Sequence, residues 1–245
     1  MVKLDQNYRS TSRMGGLMRA SCGIMAGQNP TITFRPIVRK DTLATRKRII
    51  DTAERLFAER GVESTSLLEI AKASGQKNRS ALQYHFTNKE GLLEAVLDKH
   101  AHKIADARNV MLDKLENRGN YNLYELIEAL VLPMASQLDN EDGGRAFLMI
   151  HSQLMTTQIY TDLRRRRDEA SADTQRLFVM AGPFLHMRDM DSLRARQLLI
   201  GCLLIHGLAA YLAQSDQISR SAYQQALVQG IVDLLQQNPD STAQP

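Results

Sequence analysis

Seven side chains between residues 78 and 89 carry groups suited to nucleic-acid chemistry. Asn78, Arg79, Ser80 and Gln83 offer two amides, a guanidinium and a hydroxyl within six positions. Those are the types that read base edges in a DNA major groove. Tyr84 and His85 follow directly and can donate to phosphate oxygens. Lys89 stands where a further helix would open. A cation there opposes the helix dipole, by roughly 0.3–1 kcal/mol when exposed. Beside the free N–H groups of a first helical turn, the same lysine makes a phosphate site. The alternative for Lys89 is an ordinary solvated surface lysine.

These groups need a frame, and residues 45–93 supply the signals for one. Ile49, Ile50, Ala53, Leu56 and Phe57 recur at helical spacing, and Gly61 stands where that helix would end. Ser66 and Glu69 have the spacing of a capping box ahead of Ile70 and Ala71. Ser74-Gly75 ends this short second helix. The third runs from Asn78 to Tyr84 with only Ala81 and Leu82 clearly apolar, which gives it one thin buried edge and a polar outer face. Asn88 can cap a fourth helix opening at Lys89. The close spacing of the middle pair is that of a helix-turn-helix.

The stretch resembles the DNA-binding domain of the TetR family of transcriptional regulators. The resemblance rests on TAERLFAERG in the first helix, then TSLLEIA, SG, LQYHF and NKEGLL, across about 50 residues. One departure stands out. The six residues Gln76 to Ala81 separate the turn glycine from the leucine of the third helix, where the family usually has four or five. That spacing predicts a lengthened or rewound start to the helix. It leaves the backbone contacts of Tyr84, His85 and Lys89 better placed than any base-reading assignment.

Composition suits a helical globular chain: 43% hydrophobic, 24% charged, 5% aromatic, with no long alternating segment that would read as strand. Of the net charge of +4, residues 1–48 hold +8, from ten Lys and Arg against Asp5 and Asp41, and the remainder holds −4. A basic end beside the helix-turn-helix is the arrangement that neutralises phosphates. The acidic remainder argues against nucleic-acid contact along the whole surface. The two cysteines, Cys22 and Cys202, suggest neither a disulfide framework nor a zinc pattern, and no secretory signal is visible, which points to the cytoplasm.

The expected fold is all-α, with an N-terminal three-helix helix-turn-helix domain and a larger helical domain for ligand binding and dimerisation. The expected division is a basic arm at 1–40, disordered on its own, the DNA-binding domain at 41–92, the effector and dimerisation domain at 93–238 and a tail at 239–245. The arm could lie along the minor groove or phosphates, or be an extension upstream of a later start at Met14, Met18 or Met25. Leu92, Leu93, Val96, Leu97, Ile104 and Val110 mark the inner side of the fourth helix, and Pro133 kinks or ends the fifth. Arg164 to Arg167 read as a solvated helix face. His100 and His102 are two apart and point in different directions, so they do not share a metal.

The last two helices, about 192–214 and 220–237, carry more apolar surface than one solvated face allows. The resemblance implies that they pair with a second copy, giving a homodimer that reads a palindromic operator. The apolar run from Leu198 to Ala213 is short for a membrane span. The resemblance also implies a cavity for a small, largely apolar effector whose binding releases DNA. Met134, Phe147, Met149, His151, Met155, Phe178 and Met180 could line it, although each taken singly is better explained as core. No phosphate loop, nucleophile elbow or helical metal pattern is present, so neither a metal nor another cofactor is expected. The expected function is ligand-responsive repression. The alternatives are a DNA-binding architectural factor without an effector and, more remotely, a helical enzyme.

Overall fold

The computed structural model describes residues 40–76, 79–157, 163, 171–185 and 189–237. All of these belong to one unit, 38–245. The basic arm and the four-arginine run lie outside the described residues. Among the described residues the secondary structure is helical throughout, as expected for an all-α chain.

Helix α1, Lys40–Arg60, begins earlier than its apolar stripe. Ile49, Ala53 and Phe57 are fully buried along it. Gly61 ends it at φ 94, a conformation that favours glycine. Ser66 then caps α2, Leu67–Ala73: its hydroxyl accepts from the Glu69 N–H at 3.2 Å, and Glu69 Oε2 accepts from the Ser66 N–H at 2.8 Å. At its other end the Gln76 N–H reaches Ala71 O and the Gly75 N–H reaches Lys72 O, a Schellman closure. Helix α3 is Arg79–His85.

Helix α4, Lys89–Arg118, is capped by Asn88 and closed by Gly119. Its buried edge runs through Leu93, Leu97, His100, Ile104, Arg108, Leu112 and Leu115. Val110 lies off that edge and is exposed. Helix α5, Leu123–Ala135, opens with a second capping box, Asn122 with Glu125. It passes through Pro133 and continues as a 3₁₀ turn, Ser136–Asp139. Helix α6 is Gly144–Thr156 and α7 is Ala172–Ala181. Helices α8, Met190–Leu212, and α9, Arg220–Gln236, end the described chain. Helix α5 packs on α4 and α9, while α6 packs on both α1 and α8. Helix α6 therefore ties the first helix to the last pair.

Pro133 leaves a hole in the backbone ladder, because it has no N–H to give the carbonyl of Ala129. Arg108 fills that hole. Its Nε donates to Ala129 O at 3.2 Å, and its guanidinium also holds the Asp173 carboxylate and Thr174 Oγ1 of α7. Arg108 and Asp173 are both buried. The pair joins α4, α5 and α7 at one point.

Helix α8 is longer than the apolar run that suggested it. At 23 residues and mean hydropathy 1.5 it is, by length and composition, the one described helix able to cross a bilayer. Only 28% of its apolar window is buried in this chain. Leu198, Leu199 and Leu203 are exposed, with Cys202 partly covered between them.

Candidate nucleic-acid interface

Helix α3 is seated by little. Leu82 is 1% exposed and Phe86, just past the helix, 5%. Helix α2 packs against it and against α1, where Ile70 and Ala71 are fully buried. Beside this thin seat Ser80, Gln83 and Tyr84 face outward. Ser80 and Gln83 are exposed and Tyr84 is 79% exposed. Arg79 is the first residue of the helix. Asn78 lies outside the described residues.

His85 is partly buried. Its ring meets Tyr84 edge-on at 5.1 Å and lies 6.2 Å from Phe86. Burial, helped by the charge of Arg46, pushes its pKa down. Near neutral pH it is therefore a neutral hydrogen-bonding group more than a cation. Arg46 of α1 lies over the Phe86 ring with Cζ 4.9 Å from the centroid. That contact joins residues forty positions apart, and no local spacing foreshadows it.

Lys89 has a partner that the sequence does not suggest. Its Nζ donates to the Glu63 carbonyl, 2.9 Å away across the α1–α2 loop. Burial pushes its pKa down, partly offset by Glu63 and Glu69. It remains within reach of the α4 N-terminus, where Asn88 Oδ1 accepts from the Gly91 N–H at 2.8 Å. Ser80, Gln83, Tyr84 and His85 thus lie on α3, and Lys89 opens α4 after three intervening residues.

The residues expected around an effector cavity are more dispersed. Phe147 is fully buried between His100 and His151, with ring centroids 4.7 Å from each. Met149 lies on another side of α6 and is exposed. It lines a cleft of about 540 Å³ with Ala58, Glu54, Lys99 and Ala146, between α1 and α6. Met155 is partly buried and its Cε approaches Gly201 of α8. Met134 of α5 and Phe178 of α7 are partly buried, and Met180 is 7% exposed.

Sequence reasoning passed over a polar cluster behind the helix-turn-helix: Glu54, Lys99, His100, Gln137 and Asn140. A signal was present. Glu54 follows Ile50 by four and precedes Phe57 by three, on the apolar stripe of α1, and His100 stands four before Ile104 on that of α4. A charged or titratable residue on a buried stripe needs a partner.

Comparison with known proteins agrees with this geometry. Residues 49–96, from mid-α1 into α4, match the profile described as bacterial regulatory proteins, tetR family. The transcriptional regulator TtgR of Pseudomonas putida is 29% identical over 147 residues, 58% of this chain and 66% of that protein. The chain thus spans just under two thirds of that relative's length. The transcriptional regulator AcrR of Shigella flexneri is 45% identical over 58 residues, 24% of this chain and 26% of that protein. Among solved structures, a TetR family transcription regulator from Marinobacter aquaeolei is 14% identical, with a TM-score of 0.57 over 80% of this chain and 98% of that one. NalD of Pseudomonas aeruginosa, the secondary repressor of the MexAB-OprM multidrug efflux pump, is 22% identical, with a TM-score of 0.54 over 80% and 98%. At these identities the structures speak for the fold, and the matched segment is the helix-turn-helix itself. Residues 49–96 thus carry the DNA-binding segment of the tetR family of bacterial regulatory proteins, within a helical fold like that of solved TetR family regulators.

Proposed function

We propose that this protein is a sequence-specific DNA-binding regulator, a repressor, that binds a palindromic operator as a homodimer and releases it on binding a small, largely apolar molecule. The exposed polar face of α3, seated on Leu82 and Phe86, carries the reading. Ser80 and Gln83 read base edges, a role the sequence also gives to Asn78 and Arg79; Tyr84, His85 and Lys89 contact phosphates. Residues 41–92 form the DNA-binding domain and 93–238 the effector and dimerisation domain. The effector lies against Phe147, His151 and their neighbours. The protein acts in the cytoplasm.

Selection of bound sequences from a random double-stranded DNA pool tests this directly. Enrichment of a palindrome is the expected result. Binding that enriches nothing and merely collapses as salt rises would overturn it. On the selected palindrome, Lys89→Ala lowers affinity about equally for all sequences and reduces the salt slope by about one. Gln83→Ala instead relaxes preference at one operator position, by about 1–3 kcal/mol if its contact is bidentate. Swapped behaviour of the two variants would reverse their roles.

The exposed leucines of α8 support the dimer. Leu198, Leu199, Cys202 and Leu203 recur at the spacing of one helix face, and a second copy would cover them. Leu199→Glu places a charge in the middle of that face. Sedimentation should then show a monomer, and operator affinity should fall by about 100-fold or more as the two half-sites uncouple. A dimeric Leu199→Glu protein would move the interface elsewhere.

A further inference from the structure

The polar cluster behind the helix-turn-helix has a hydrogen-bond pattern that determines where its protons sit. Glu54 of α1 is 2% exposed and His100 of α4 is 1% exposed. The imidazole Nε2 lies 2.6 Å from Glu54 Oε1. The second carboxylate oxygen, Oε2, accepts from Lys99 Nζ at 2.7 Å. On the other edge of the ring, Nδ1 lies 2.9 Å from Gln137 Oε1, with Asn140 Nδ2 at 3.3 Å. Phe147 of α6 covers the ring.

Asn140 Oδ1 accepts from the Asp142 N–H at 3.1 Å, so its amide NH₂ must point the other way. That NH₂ donates to Gln137 Oε1 at 2.9 Å, which makes Oε1 an acceptor. Nδ1 at 2.9 Å from the same oxygen therefore needs a proton. Nε2 needs one too, because it faces a carboxylate that already holds an ammonium. The ring form with a proton on both nitrogens, the imidazolium, is the one that answers both acceptors.

The charges around the ring agree. Lys99 reaches Glu54, Asp51 at 2.9 Å and Asp142 at 3.1 Å, and Lys47 pairs with Asp51 at 2.7 Å. With His100 charged, three cations meet three carboxylates; Lys103 acts on Asp142 from farther off. Burial pushes Lys99 down, but hydrogen bonds to Glu54, Asp51 and Asp142 outweigh it and raise its pKa. Burial pushes Asp51 up, while Lys47 and Lys99 hold it below its ordinary value; the Lys99 hydrogen bond does the same for Asp142. These groups stay charged across neutral pH. His151 is separated from His100 by the Phe147 ring.

A neutral His100 keeps one donor. Either Nδ1 then opposes Gln137 Oε1 or Nε2 opposes the Glu54 carboxylate, an acceptor facing an acceptor in a dry site. The strain falls on the polar contact that fixes α1 to α4. One turn further along, Gln153 of α6 still ties α1: it donates to Phe57 O at 3.0 Å and accepts from the Val62 N–H at 2.9 Å.

We propose that the Glu54–His100 hydrogen bond is a proton-dependent latch, shut by an imidazolium and released when His100 loses a proton, so that pH sets how firmly α1 is held to the helical body. Its consequence for operator binding rests on the function proposed above; the latch itself does not.

Imidazole nitrogen NMR and amide hydrogen exchange on the full-length protein, from about pH 6 to about pH 9, test it without DNA. Expected are protonated shifts at both His100 nitrogens at the acid end. As they titrate, exchange protection of the α1 amides around Ala53–Phe57 should fall by about tenfold, the equivalent of one lost charge-assisted hydrogen bond. Glu54→Gln should remove that step. Gln137→Leu, which takes away the acceptor of the Nδ1 proton, should move it to lower pH and serves alone if Glu54→Gln does not fold. A neutral His100 at the acid end, α1 protection that stays flat while His100 titrates, or an unmoved step in Gln137→Leu would each overturn the proposal.

Discussion

Arg108→Ala should destabilise the protein by about 3–5 kcal/mol, because it leaves the buried Asp173 carboxylate without its cation. It also reopens the gap left by Pro133, since the Ala129 carbonyl loses the Arg108 Nε–H. Such an orphaned carbonyl costs about 1–3 kcal/mol. The two costs separate in a double variant. Arg108→Met with Asp173→Leu removes both charges, so the larger cost should vanish and the orphaned carbonyl should remain. Urea unfolding of the three proteins measures this. A double variant no more stable than Arg108→Ala would show that shape, and not charge, is what Arg108 supplies.

The pH dependence has a definite sign. Burial pushes the Asp173 carboxyl up, but the Ser171 hydrogen bond and the Arg108 charge outweigh it and hold its pKa below the ordinary value. A carboxyl depressed on folding contributes stability above its unfolded value, about 3.9, and loses it as pH falls through the folded one. In Arg108→Ala that carboxyl stays buried with the Ser171 hydrogen bond but no cation, so acid relieves it. The gap between wild type and Arg108→Ala should therefore narrow below about pH 4.

Local signals account for most of what was legible in the sequence. The Ser66–Glu69 box, the glycines at 61 and 75 and the Asn88 cap are each encoded within a few residues, and each sits where its spacing predicts. Pro133 was legible as a disturbance but not in its outcome. Whether a helix ends or continues at proline depends on who satisfies the abandoned carbonyl, and that partner, Arg108, stands 21 residues upstream. The polar types of α3 were legible as well, since a helix with two apolar positions can bury only one edge. Lys89 was legible as a cation in a first turn, but its hold on Glu63 depends on how the α1–α2 loop folds back. Arg46 over Phe86 and the Gln153 clasp on α1 are tertiary contacts with no sequence period at all. Glu54, His100 and Arg108 form a middle case. Each breaks an apolar stripe and so announces a buried partner without naming it.

Gly143→Ala is the sharper test of how α1 is held. Gly143 precedes α6 at φ 89, and a Cβ there would fall inside the Glu54 carboxylate. Glu54 cannot yield cheaply, since it is buried and engaged by both Lys99 and His100. Moving it leaves His100 Nε2 without its partner and takes one of three carboxylates from Lys99. Gly119 supplies the comparison. It has φ 69, but a Cβ added there meets nothing within 4 Å. Gly119→Ala should therefore show backbone strain alone, roughly 1–2 kcal/mol. Gly143→Ala should lose about 3–5 kcal/mol, most of it from the displaced carboxylate. The excess of the second over the first isolates the collision with Glu54. Thermal or urea unfolding of both variants measures it, and equal losses would show that the carboxylate has room to move. If the excess is real, Gly143→Ala should also free α1 from α4 while α8 and α9 keep their hydrogen-exchange protection, because the damage enters at the α1 end of α6 and not at its contact with α8.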